Sequence, residues 1–174
     1  MAATNRPIVG IVMGSDSDWP KIKGVAAALQ EFDVPFEVHV MSAHRTPDVV
    51  REFAATAVDR GLRVLIAAAG GAAHLAGVVA SHTTLPVIGI PVVTEMMGGL
   101  DSLLSTVQMP GDVPVATVAA GSGGARNAGL LAVEILALSD ATLQQKLVAF
   151  KKQLAEKIAA RNAAFQASLA GGAS

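Results

Sequence analysis

Apolar residues in this chain fall into short β-branched runs that alternate with stretches of helical period. Residues 8–13, from Ile8 to Met13, form an apolar run closed by Gly14, as expected for a strand buried on both faces. After Asp18 and Pro20, Ile22, Val25, Ala26 and Leu29 recur at helical spacing, and the pattern stops near Asp33-Val34-Pro35. The period switches to two in Phe36-Glu37-Val38-His39-Val40, which predicts a second strand. Thr46 and Pro47 read as an N-cap and first helical position, with Val49, Val50, Phe53, Ala54 and Ala57 on the inner face until Gly61 stops the helix. The alternation continues with strands at 64–68, 87–90 and 115–119 and helices from about Ala72, Leu100 and Gly124.

Strands separated by helices of this length must be parallel, with right-handed crossovers that cover both faces of the sheet. The predicted fold is therefore α/β: a three-layer sandwich around a five-stranded parallel sheet in the flavodoxin-like order 2-1-3-4-5, followed by a C-terminal helical extension. Residues 1–174 read as a single domain with its core at about 7–138. In the extension, at about 140–168, Leu143, Leu147, Phe150, Leu154 and Ile158 share one stripe. That stripe either packs on its own sheet or docks on a neighbouring subunit. Residues after about Ser168 are expected to fray.

Composition adds the subunit. Of the 174 residues, 52% are hydrophobic and only 16% charged, against roughly 25% charged in ordinary soluble domains. Such sparse charge favours docking on a neighbouring subunit over an exposed apolar stripe. With 13 basic and 14 acidic side chains, no global field attracts nucleic acid or an anionic membrane, so any anion site must be local. The absence of cysteine removes thiolate chemistry and fits a reducing compartment, with the cytoplasm as the expected location. The first apolar run is too short for a secretory leader. Residues 64–80 approach the lower length limit of a membrane span, but Gly70, Gly71 and His74 interrupt them, and a strand, turn and buried helix fit better.

In an open parallel sheet, function collects at the carboxyl ends of the strands beside the switch point. The polar residues of this Ala- and Val-rich chain concentrate in those loops. Gly14-Ser15-Asp16-Ser17-Asp18 offers amides and hydroxyls for a phosphate, and Asp18 suits ribose hydroxyls because a carboxylate accepts two hydrogen bonds. Helix capping by Ser15, Ser17 or Asp18 explains the same residues, and Asp16 is expected to be solvated. Ser42-Ala43-His44-Arg45-Thr46-Pro47 pairs an imidazole that exchanges protons near neutral pH with a planar guanidinium fork for phosphate oxygens. Gly70 and Gly71 permit close backbone approach to a ligand, or merely make a tight turn. His74, about one turn into the predicted helix, either faces the pocket or packs inside. His39 and His82 receive no chemical role. Two further strand-end loops, residues 91–99 and Gly121-Ser122-Gly123-Gly124, complete the set. The histidine spacings do not suit a metal, and neither GxxxxGK[ST] nor GxGxxG after the first strand is present, which weakens ATP and dinucleotide readings.

Four motifs in this order resemble the class I phosphoribosylaminoimidazole carboxylase family of purine biosynthesis, PurE. They are M-G-S-D-S-D-W at 13–19, S-A-H-R-T-P at 42–47, A-G-G-A-A-H-L at 69–75 and D-S-L-L-S-T-V-Q-M-P at 101–110. Ala68 and Ala76 replace a Gly and a Pro usual in the family. The resemblance implies an N5-carboxyaminoimidazole ribonucleotide mutase, which moves a carboxyl group from the exocyclic nitrogen to carbon 4 of the imidazole ring of a small nucleotide. It implies no metal, biotin or nucleotide cofactor, a cytoplasmic homo-octamer, and active sites between subunits. His44 falls at the family's catalytic position. Ser15, Asp18 and Arg45 are implied to hold the ribose phosphate, supported by Ser17, Ser42, Gly70 and Gly71, with His74 also assigned to substrate binding. The related direct carboxylase, which uses free carbon dioxide, is the nearest alternative. A flavin carrier of the same fold needs stacking aromatics, yet the chain has no Tyr, one Trp and five Phe. A phosphorylated receiver domain needs an Asp at the end of the third strand, where this chain has Ala or Gly.

Overall fold

A computed structural model describes residues 6–171. Five strands, β1 (Val9–Met13), β2 (Phe36–Val40), β3 (Val64–Ala69), β4 (Val87–Pro91) and β5 (Ala116–Thr117), form one sheet in the order β2-β1-β3-β4-β5. Every neighbouring pair is parallel. This is the flavodoxin-like α/β arrangement that the alternating periods predict. In the register, Met13 lies beside Val40 on one side and Ala68 on the other. The carboxyl ends of β1, β2 and β3 therefore finish level.

The helices of the described residues are α1 (Trp19–Ile22), α2 (Gly24–Glu31), α3 (Pro47–Ala55), α4 (Leu75–Ala80), α5 (Leu100–Val107), α6 (Ser122–Ala137) and α7 (Ala141–Gly171). The chain moves one way from β1 to β2 and the other way from β2 to β5, so right-handed crossovers place α1 and α2 on one face and α3, α4 and α5 on the other. Close packing agrees. A Cβ added to Gly10 in β1 would lie 2.9 Å from the Phe53 ring of α3, and one added to Gly89 in β4 would lie 2.5 Å from Thr106 of α5. α6 joins the α2 layer, where a Cβ on Gly129 would lie 2.7 Å from the Val25 carbonyl oxygen. Between the layers Val9, Ile11, Val12, Leu65, Ile66 and Ile88 are fully buried.

Several boundaries differ from expectation for local reasons. The first predicted helix divides at Lys23 into α1 and α2, although Ile22, Val25, Ala26 and Leu29 are buried as its period requires. Val49 is 52% exposed, because the buried arc of α3 is filled by Val50, Phe53 and Ala54. β5 spans two residues where five were expected. Val118 N–H still donates to the Gly89 carbonyl, but Pro91 in β4 has no N–H for the next rung. The helix after β3 begins at Leu75 instead of Ala72, since residues 70–74 are spent in a turn around Gly71, whose φ is +67°.

The chain divides into two compact units, Met1–Leu136 and Ala137–Ser174. In the second, Asp140 Oδ1 accepts the N–H groups of Thr142 and Leu143 at 2.8 and 3.0 Å and so caps α7. α7 continues to Gly171, past the Ser168 where fraying was expected, and residues 172–174 lie outside the described residues. Leu154 and Ile158 of the predicted stripe are exposed. Residues 1–5, part of the segment judged against a secretory leader, also lie outside the described residues. No described helix is long and apolar enough to cross a membrane.

Candidate active site

Above the level ends of β1, β2 and β3 lies a cavity of about 430 Å³, within the range of small-molecule sites. Gly14, Ser15 and Asp18 line it from the first loop, Ser42, Ala43, His44 and Arg45 from the second, and Ala69, Gly70, Ala72 and Leu75 from the third. An adjoining cavity of about 400 Å³ shares Gly14, Ser15, Ser42 and Arg45 with it. Arg45 therefore borders both.

In the first loop Ser15 caps a single 3-10 turn, its Oγ accepting the Ser17 N–H at 3.3 Å. The two hydroxyl oxygens lie 2.8 Å apart, so Ser17 turns towards Ser15 and does not line the cavity. Asp16 Oδ1 also accepts the Ser17 N–H, at 3.0 Å. The Asp18 side chain makes no cap bond in α1 and faces the cavity instead. Burial raises its carboxyl above the usual carboxylate range, an effect that Lys21 opposes and Asp16 reinforces.

The second loop is closed by its own side chains. Ser42 Oγ accepts the N–H groups of His44 and Arg45 at 3.3 and 3.2 Å. Thr46 Oγ1 accepts the Ser42 N–H at 2.9 Å and donates to the Ser42 carbonyl at 3.2 Å. Thr46 thus fastens the loop and makes no cap bond to α3, contrary to the simple reading of Thr-Pro. Arg45 Nη2 donates to the Gly14 carbonyl at 3.0 Å, which ties the second loop to the first. Among the described residues no carboxylate pairs with this guanidinium.

The third loop brings the second imidazole. His74 occupies the flank of α4, one residue before the helix, and its Nδ1 lies 2.9 Å from His44 Nε2. The rings stand nearly perpendicular, at 82° with centroids 5.0 Å apart. His74 lines a separate cavity of about 450 Å³ with Gly77, Leu104 and Ser105, so it reaches the first cavity through His44. Gly70 lines the first cavity, whereas the Gly71 amide is already held by Ser102 Oγ at 2.9 Å. His39 lies beside Glu37 and Phe53, apart from this group.

Sequence reasoning assigned no role to Thr94, Asp101, Ser102 or Ser105. Asp101 Oδ1 accepts the Thr94 hydroxyl at 2.6 Å and the Ser102 N–H at 2.8 Å. These bonds, that from Thr94 foremost, hold the Asp101 carboxyl below its ordinary range. The apolar positions Leu100, Leu104 and Val107 of α5 are exposed while Ser102 and Thr106 are buried, so the hydrophobic pattern of this helix points away from these residues. The loops after β4 and β5 add no lining to the first cavity. Among the described residues no group of three or more His, Cys, Asp or Glu side chains could hold a metal ion.

Known proteins share this sequence and architecture. The N5-carboxyaminoimidazole ribonucleotide mutase of Mycobacterium leprae is 59% identical over 163 residues, covering 94% of each chain. That of Bacillus subtilis is 58% identical over 142 residues, covering 82% of this chain and 88% of the relative. The crystal structure of Treponema denticola PurE superposes with a TM-score of 0.81 at 29% identity, covering 91% of this chain and 98% of the other. Residues 8–157 match the family described as AIR carboxylase, and with relatives of this similarity along nearly its whole length, the chain belongs to that family.

Proposed function

We propose that this chain is an N5-carboxyaminoimidazole ribonucleotide mutase, converting its substrate to 4-carboxyaminoimidazole ribonucleotide without metal or organic cofactor. The carbamate C–N bond breaks as the exocyclic nitrogen takes a proton, releasing carbon dioxide beside the aminoimidazole. Carbon 4 of the ring then attacks the carbon dioxide, and the proton displaced from carbon 4 returns to the base. One proton leaves the enzyme and one comes back, so a single positioned imidazole suffices. His44 is that group. A positioned acid–base side chain contributes roughly 10²- to 10⁴-fold in rate, and holding carbon dioxide in place adds an effective-concentration advantage.

The observation that carries this reading is the 2.9 Å contact of His44 Nε2 with His74 Nδ1 at the rim of a cavity that Arg45 also lines. In that bond one ring nitrogen donates and the other accepts, which restricts the tautomers the pair can adopt. Arg45 and Ser15 take the phosphate and Asp18 the ribose, with Ser42 holding the His44 and Arg45 amides. Ser17 and Gly71 act indirectly, Ser17 through Ser15 and Gly71 through the turn ahead of His74.

The second unit, a helical extension of one functional chain, serves assembly into a cytoplasmic homo-octamer. The exposed apolar side chains Met96, Met97, Leu100, Leu104 and Val107 support subunit contacts by the first unit as well. The family's description as AIR carboxylase keeps direct use of free carbon dioxide as the competing reaction. Substrate labelled in the carbamate carbon and turned over in unlabelled bicarbonate separates the two. Retention of label in the product is expected; dilution to the isotopic content of the bicarbonate would replace the mutase with the direct carboxylase.

A further inference from the structure

The backbone of Gly71 is held by α5 through its amide. Its N–H donates to Ser102 Oγ at 2.9 Å and its carbonyl accepts the Ala73 N–H at 2.8 Å, while the neighbouring Ser105 hydroxyl donates to the Asp101 carbonyl at 2.7 Å. Ser102 is fully buried, and its hydroxyl donates to Asp101 Oδ1 at 3.3 Å. A serine hydroxyl has one proton, so donation to Asp101 leaves its lone pairs for the Gly71 amide. Asp101 is in turn fixed by Thr94. The bonds converge on Asp101: Gly71, a glycine in the left-handed region, donates to Ser102, and Ser102 and Thr94 both donate to the Asp101 carboxylate.

Three residues after Gly71 stands His74. Ala73, between them, is buried, so the turn has little room to adjust, and its path sets where the His74 ring emerges. We propose that Ser102 is a positioning residue for the carboxyl-transfer reaction, fixing through the Gly71 amide the placement of His74 against His44. The assignment rests on His44 as the proton carrier. Ser102 hydrogen-bonds to neither histidine and does not line the first cavity. Its effect must therefore pass through the turn. Arg45, Ser15 and Asp18 belong to other loops, so their contacts with the nucleotide do not run through this turn, of which Gly70 and Ala72 line the first cavity.

The test uses Ser102→Ala and Ser102→Thr in the full chain. In Ser102→Ala, kcat is expected to fall roughly 10- to 100-fold, the scale of a misplaced catalytic geometry, with KM within about twofold of the parent. The pH profile of kcat is expected to move, and Ser102→Thr, which keeps the hydroxyl, to restore it. A merely structural serine would lower the active fraction and leave the pH profile in place, and that result overturns the proposal. Long-range proton–nitrogen spectra of histidine-labelled protein without substrate provide a readout independent of activity. Changed tautomer signals of His44 and His74 are expected in Ser102→Ala, and unchanged signals overturn the positioning role. Because these spectra need no turnover, failure of the mutase reading would not imitate failure of this one. Should Ser102→Ala not fold, Asp101→Asn takes its place with the same expected shifts at smaller amplitude and the same overturning result.

Discussion

The loops that follow β1, β2 and β3 and those that follow β4 and β5 look alike as sequence, yet their glycines and polar residues do different work. In the first group, side chains cross from loop to loop: Arg45 reaches the Gly14 carbonyl, and His44 meets His74. In the second group the backbone itself is packed at Gly99 and Gly124, while Gly98 and Gly123 stand open. A Cβ on Gly124 would sit 1.5 Å from the Ala119 carbonyl oxygen, and one on Gly99 would lie 3.0 Å from Val93 Cα. The sheet order explains the division. β2 and β3 flank β1, so their three loops converge at the switch point, while β4 and β5 lie progressively farther away. Glycine-rich composition at a strand end is thus no sign of a ligand cradle until the strand's place in the sheet is known.

The sharpest way to break this contrast is Gly124→Ala. The added methyl meets backbone, which cannot rotate aside, so the cost is expected to exceed about 4 kcal/mol, a large part of the stability of an ordinary domain. Gly71 has a φ of +67° but nothing within 4 Å of an added Cβ. There the same substitution is expected to cost only the left-handed backbone penalty, roughly 1–2 kcal/mol. Denaturant unfolding of both variants measures the difference; equal losses would erase the distinction between packed and conformational glycines.

His44→Asn probes the converging loops directly. It should fold and bind nucleotide, since Ser42 and Thr46 hold the loop through groups that the substitution leaves alone. Turnover is expected to fall roughly 10²- to 10⁴-fold. Calorimetric binding beside steady-state rates decides the matter, and near-normal turnover would remove His44 from the proton path.

The sheet order was legible because apolar runs separated by amphipathic stretches admit few ways of covering a parallel sheet. The loops holding Ser15, Asp18, His44 and Arg45 were legible for the same reason, as strand ends. What escaped was the choice among partners. Thr46 before Pro47 is a standard cap by sequence, but the Ser42 backbone lies within its reach once the loop closes. His44 and His74 are thirty residues apart, and their contact depends on β2 and β3 flanking β1. The Gly71 amide resembled a ligand donor until α5 supplied Ser102. Each of these is decided by distance in three dimensions, to which one-dimensional spacing is blind.

The finest test of the convergence is Arg45→Ala. Arg45 has two possible jobs: clamping phosphate, and tying the second loop to the Gly14 carbonyl. Loss of a hydrogen bond to a charged partner costs about 1.5–3 kcal/mol, or roughly a ten- to hundredfold loss of affinity. If the guanidinium grips phosphate, that loss falls on the nucleotide and spares its dephosphorylated nucleoside. If its work is the tie to Gly14, both ligands weaken together, because the disturbed loop also carries His44 and Ser42. Arg45→Lys divides the cases further, keeping the charge while losing the planar fork, and should recover part of the nucleotide affinity. Competition binding of nucleotide and nucleoside to the parent and both variants reads the result. A selective loss for the phosphorylated ligand makes the first three loops one binding surface, whereas equal losses reduce the Arg45 contact to a structural strut.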